Sequence, residues 1–214
     1  MADGRLLHRL GATSATARNG TKIRAPTLGS SANVTTMIAR RYRAALLQKH
    51  HVQRSVRFTG TITSMDRAAC EAHFARAYDS GREAVISIAD PGGRRLLPED
   101  VMRLDLDIHD YTPAEAEAER LPVVLFTGED RDRILDFVAR LPPTIVTLRV
   151  HYEMGISRSR AIVAALRRLR GEDDLNEFKR GIPNAHIYRK MLRLPPIEVM
   201  HWIIARDVVE SLKA

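Results

Sequence analysis

The sequence predicts an α/β fold, a central and mostly parallel sheet flanked by helices, behind a basic N-terminal extension. Three observations carry this prediction. From about Val56 onward, short β-rich runs alternate with stretches of helical periodicity, as in strand–helix–strand units. The run Thr144–Val150 is the best candidate for a buried central strand, and a glycine-containing loop and an apolar helical pattern follow it. The first quarter of the chain lies outside this alternation and has its own composition.

The extension is assigned to residues 1–54 and the domain to residues 55–214. Residues 11–36 are rich in Gly, Ala, Ser, Thr and Asn, and bury too little apolar surface to offset the entropy of ordering. A helix is expected over Thr35–Lys49, where Met37, Ile38, Tyr42, Ala45 and Leu46 recur at helical spacing. Val56–Thr63 alternates and reads as a strand. Asp66–Tyr78 reads as a helix capped by Ser64 or Asp66. Ala84–Ala89 is a short apolar strand closed by the turn Asp90-Pro91-Gly92-Gly93. Val101–Ile108 is a further strand, and the acidic Tyr111–Arg120 a loop or short helix. Asp130–Leu141 is a helix stopped by Pro142-Pro143. Ser157–Leu169 is a helix with Ile162, Val163, Leu166 and Leu169 on one face. Glu172-Asp173-Asp174 reads as a turn and helix cap, and further helices are expected near Ala185–Leu192 and Ile197–Leu212. Trp202, on the last of these, is expected to pack in the core.

Charge divides the chain. Residues 1–58 hold nine Arg and two Lys against Asp3 alone, a net of +10, whereas the remainder carries −2. Such a segment suits a polyanion, RNA more than DNA, or a large assembly containing it. Arg18, Lys22, Arg24, Arg40, Arg41, Arg43 and Lys49 are the candidate contacts. A solvated tail and an organelle transit peptide are the competing readings. The single cysteine, Cys70, cannot form an intramolecular disulfide and reads as a small core residue, which suits a reducing intracellular compartment, cytoplasmic or organelle matrix. No run of about 18 apolar residues is present, so no membrane span is expected. The eight His show no ligand spacing, so neither metal nor other cofactor is expected. The acids around Glu115, Glu117, Glu119, Glu129 and Asp130 read as a solvated face.

The chemistry lies in Val150-His151-Tyr152-Glu153-Met154-Gly155-Ile156-Ser157-Arg158-Ser159. A strand, a tight loop and a helix start together aim backbone N–H groups at one point, and Arg158 adds a planar fork for two oxygens of a phosphate. Glu153, Met154, Gly155, Ile156, Ser157 and Arg158 are therefore the candidate anion site, with Ser157 or Ser159 as the helix cap.

This segment resembles the signature loop of the protein tyrosine phosphatase superfamily, His-Cys-x-x-x-x-x-Arg-Ser/Thr, and within it the dual-specificity-like bacterial branch. Ala84–Ala89 with its turn, Met102–Asp110, and Pro183-Asn184-Ala185-His186-Ile187-Tyr188 extend the resemblance over about residues 55–195. It implies a tyrosine phosphatase-like fold. It also implies a Cys thiolate nucleophile, an Arg on the equatorial oxygens and an Asp that protonates the leaving group. Arg158, Ser159 and His151 stand at matching positions, and Asp110, or second Asp107, stands for the acid. The Cys, however, is replaced by Tyr152. A phenol ordinarily ionises near 10, and its ring displaces the oxygen towards the place of the phosphate. Either the ring swings into the cradle or the loop reorganises around it. The expectation is a catalytically inactive domain, a pseudophosphatase, serving as a binding or structural module, with a phosphoprotein as a weaker partner than nucleic acid. If Tyr152 were a change peculiar to this chain, the remaining loop would support an active tyrosine or dual-specificity phosphatase.

Overall fold

The computed structural model describes residues 31–47, 52–53, 55–76, 78–93, 96–120 and 122–195. The predicted helix over Ile197–Leu212, Trp202, and the basic residues Arg18, Lys22, Arg24 and Lys49 lie outside these residues.

Four strands form one all-parallel sheet: β1 (Thr61–Asp66), β2 (Glu83–Ala89), β3 (Met102–Asp107) and β4 (Thr147–Tyr152), in the order β1-β4-β2-β3. The expected α/β class with a largely parallel sheet is thus what the structure shows. β4 is central, in register Thr61↔Thr147 with β1 and Glu83↔Thr147 with β2. Strand side chains alternate between faces, and β2 shows this directly. Ala84, Ile86 and Ile88 enter the main core, whereas Val85 enters a smaller cluster with Cys70, Phe74, Leu97 and Val101.

Helix α2 (Arg67–Arg76) brings Cys70 and Phe74 to the smaller cluster. The main core holds α5 (Arg158–Arg170), whose Ala161, Ile162, Val163, Ala164, Ala165 and Leu166 are all fully buried. Each large apolar side chain so buried contributes about 1.5–3 kcal/mol. Around it stand α4 (Gly128–Ala139), α6 (Leu175–Arg180) and α7 (Ala185–Met191), while α3 (Pro113–Glu119) lies on the connection from β3 to α4.

Several expectations are corrected. The first strand begins at Thr61, because the amides of Ser55 and Val56 donate to Leu169 O at the end of α5 instead of joining the sheet. Asp66, not Ser64, caps α2: its Oδ1 accepts from Ala69 N at 2.6 Å. The six-residue α6 has no counterpart among the expected helices. Glu115 is buried, not solvated, and closes a capping box with Thr112, as Asp130 does with Thr127. Helix α1 (Ser31–Leu47), assigned to the low-complexity extension, is built into the main core through Ala39, Tyr42, Leu46 and Leu47. Its Tyr42 hydroxyl donates to Pro183 O at 2.8 Å, and Arg43 Nε pairs with buried Asp174 at 2.5 Å. Among the described residues no helix is long and apolar enough to cross a membrane.

Candidate functional site at the carboxyl ends of the strands

A parallel sheet brings the carboxyl ends of all its strands to one edge, where ligand crevices of α/β folds lie. Here β4 runs into the loop 153–157, β2 into Asp90, β3 into Ile108–Asp110 and β1 into the start of α2. Residues distant in sequence therefore meet around Arg158.

Gly155 fixes the loop against β1. Its φ is +63°, and an added Cβ would lie 2.6 Å from Asp66 N, so both conformation and space require glycine. Gly155 N donates to Tyr152 O, and Arg67 N to Glu153 O, at 3.2 and 3.3 Å. The exposed Glu153 carboxylate pairs with Arg67 Nη2 at 2.6 Å, while Met154 and Ile156 face outward.

Arg158 opens α5 and is only 1% exposed. Its Nη1 donates to Asp90 Oδ1 at 2.6 Å and to Ile108 O, and its Nε lies 3.9 Å from Asp110 Oδ2. The other face of the guanidinium is covered by the half-buried Tyr152 ring, 3.3 Å from Cζ to the ring centroid. The Tyr152 ring thus lies on the guanidinium of Arg158, the residue that the sequence reading places in the anion site. Its phenol is pushed above 10.0, first by burial. Arg158 opposes that shift, and the carboxylates of Asp90, Asp110 and Glu153 reinforce it.

Asp110 is tied down. Its Oδ1 accepts from Ser157 Oγ and from Asn184 Nδ2, both at 2.9 Å. One carboxylate thus links the loop after β3, the start of α5 and the start of α7, whose Ile187 N donates to Asn184 Oδ1. Ser157 occupies the N-cap of α5, but its hydroxyl points to Asp110 and makes no cap bond. Asp107 is exposed at the end of β3. His151 is buried within β4, and Ser159 is fully buried with no hydrogen-bond partner for Oγ among the described residues.

The fold thus brings together Tyr152, Arg158, Ser157 and Asp110, all singled out by the sequence. Asp90 is the addition: in the sequence it is legible only as a turn residue, and it gains its role from the parallel pairing of β2 with β4. Cys70 stands on α2, where burial pushes its thiol up to about 12. Arg40 and Arg41 are exposed on α1, while Arg43 is engaged by Asp174.

No family model and no curated protein matches this chain. Solved structures similar to it include human DUSP28, at 19% identity over 76% of this chain and 99% of that one, TM-score 0.36. A single-residue variant of human DUSP28 gives 17% over 75% and 97%, TM-score 0.33. OH1 from the Orf virus, described as a tyrosine phosphatase with triple substrate specificity, gives 14% over 74% and 98%, TM-score 0.37. The functional reading therefore rests on the geometry of the loop itself.

Proposed function

We propose that this chain is a catalytically inactive phosphatase-like domain, a pseudophosphatase, acting as a binding or structural module. One observation carries the reading. The arginine that should grip a phosphate is buried between the Asp90 carboxylate and the Tyr152 ring that replaces the nucleophilic thiol. A phenol raised above 10.0 is almost wholly protonated at neutral pH, so it supplies no nucleophile. Nη1 of Arg158 is already engaged by Asp90 and Ile108 O, and an incoming dianion would also meet the carboxylates of Asp90 and Asp110. That arrangement disfavours a phosphoprotein as partner.

The test compares wild type with Tyr152→Cys. Wild type should not hydrolyse an aryl phosphate above background and should not bind tungstate by titration calorimetry. Tyr152→Cys removes the ring and should gain tungstate affinity by about tenfold or more, the equivalent of about 1.4 kcal/mol. Turnover by wild type that persists after contaminating phosphatases are removed would overturn the reading in favour of an active tyrosine or dual-specificity phosphatase. A flat titration for both proteins would show that the loop has lost its anion site and keeps only the fold.

A second function concerns the extension. The excess of ten positive charges in residues 1–58, with Arg40 and Arg41 facing outward on α1, supports binding to RNA, or to an assembly containing it.

A further inference from the structure

Two cavities, of about 590 and 450 Å³, share Ser55 and Leu135 and form one groove on the side of α4. Its first part is walled by Val56, Phe58, Leu135, Leu141, Pro142 and Ile145, and its second by Leu169, Met191, Leu194 and Pro195. Val56, Phe58, Leu135, Leu141 and Leu194 are only partly buried against the core, so they leave apolar surface towards the groove. Gln53, Ser55, Arg57 and Thr59 share the lining, so the groove is an apolar floor with a polar rim.

We infer that the groove is the seat of this chain's own carboxyl-terminal segment, residues 196–214, which docks there by its apolar side chains. Three observations favour this occupant. The segment leaves the described chain at Pro195, itself part of the groove wall, so it starts at the site it fills. Ile197, Met200, Ile204, Val208 and Leu212 follow the spacing of one helix face, and a helix over 197–212 would span about 24 Å. Being tethered at the rim, the segment competes at an effective concentration of about millimolar, which favours it over a second copy or a foreign helix. This inference is independent of the phosphatase-like reading, because neither Tyr152 nor Arg158 lines the groove.

Trp202 is the single tryptophan and lies in this segment, so it reports directly. In the full-length chain its emission should be blue-shifted from that of free tryptophan amide, weakly quenched by acrylamide, and independent of protein concentration. Leu141→Glu, at the groove wall, and Ile204→Asp, in the segment, should each shift the emission to the red and restore quenching, with circular dichroism losing no more than the helix of this segment. Ile204→Asp lies outside the described body, so the test survives if Leu141→Glu fails to fold. Val124→Glu, an exposed apolar residue away from the groove, should leave the emission unmoved. Full quenching in wild type would overturn the inference, as would a protected Trp202 indifferent to both substitutions. Protection that disappears on dilution would assign the groove to a second copy and equally overturn it.

Discussion

Among the described residues two arginines are nearly lost from solvent, and their surroundings differ. Arg158, in the phosphatase-like loop, has a carboxylate partner, Asp90, that is itself 49% exposed. Arg189, on α7, is 2% exposed and donates to backbone carbonyls, Leu46 O at the end of α1 and Pro195 O beyond α7. Burial lowers the Arg189 pKa from its ordinary value. The comparison separates an arginine held by a half-exposed carboxylate at the rim of the candidate site from one held by main-chain acceptors. The loop keeps its positive charge beside a carboxylate in contact with water and under the Tyr152 ring. The α1–α7 face holds its charge with main-chain acceptors and ties the two ends of the described fold together.

The largest expected effect is on how stability depends on pH. Tyr42 and Tyr188 lie on the α1–α6–α7 face, and burial is the leading cause that raises both phenols well above 10. Tyr188 donates to the buried Asp174, while Cys70 beneath the sheet is raised to about 12. All three are folded in their neutral forms. A raised folded pKa contributes stability that is complete below the unfolded pKa and is lost as pH rises above it. Stability should therefore hold up to about pH 8.5 and fall by several kcal/mol by about pH 11, read as urea midpoints across that range. Tyr188→Phe should lose about 1–2 kcal/mol at neutral pH, because Asp174 loses a donor, and should flatten the alkaline limb. Equal slopes for mutant and wild type would break the assignment to this face.

The next effect tests the two arginines directly. Arg189→Met leaves the carbonyls of Leu46 and Pro195 without their donor and should cost about 2–3 kcal/mol. Arg158→Met frees Asp90 to hydrate and keeps an apolar stem under Tyr152, but leaves Ile108 O without its donor, so it should cost about 1–2 kcal/mol. Chemical denaturation of both variants measures the difference. A cost for Arg158→Met equal to that for Arg189→Met would show that the loop has become a structural clamp.

The same contrast explains what is legible in the sequence. The strand–loop–helix around Tyr152 is local, so spacing alone places Arg158, Gly155 and the helix that follows. What the sequence conceals is long-range. Arg158 finds Asp90 only because β2 and β4 end side by side, although Glu153 and Asp110 are nearer in sequence. Asp174 and Glu177 look like ordinary surface acids of a turn. They are buried because α1 supplies Arg43, and because α5 and β1 supply Arg160 and Ser64, donating at 3.1 and 2.7 Å to Glu177 Oε2. Helix α6 is hidden because six residues give too short a window for periodicity. The run from Val56 imitates a strand because its β-rich composition cannot reveal that its amides satisfy the end of α5.

A third class of arginine sharpens the comparison with the smallest effect on stability. Arg40 and Arg41 face water on α1, and Arg43, two residues on, is engaged by Asp174. Removing an exposed arginine with no buried partner should change stability by no more than about 0.5 kcal/mol. Their proposed role is electrostatic, and counterion release then sets the readout. Deleting one arginine–phosphate pairing should reduce the slope of log affinity against log salt by about 0.7 for single-stranded RNA and about 0.9 for duplex DNA. The double variant Arg40→Ala/Arg41→Ala should therefore lower the slope for single-stranded RNA by about 1.4 while the urea midpoint stays in place. Arg43→Ala should do the reverse, lowering the midpoint by depriving Asp174 of its partner and leaving the slope unchanged. If all three arginines move the slope equally, the α1 face binds as a diffuse positive surface and Arg43 is not reserved for the fold. If none moves it, RNA is held elsewhere in residues 1–58, or the excess charge serves no nucleic acid.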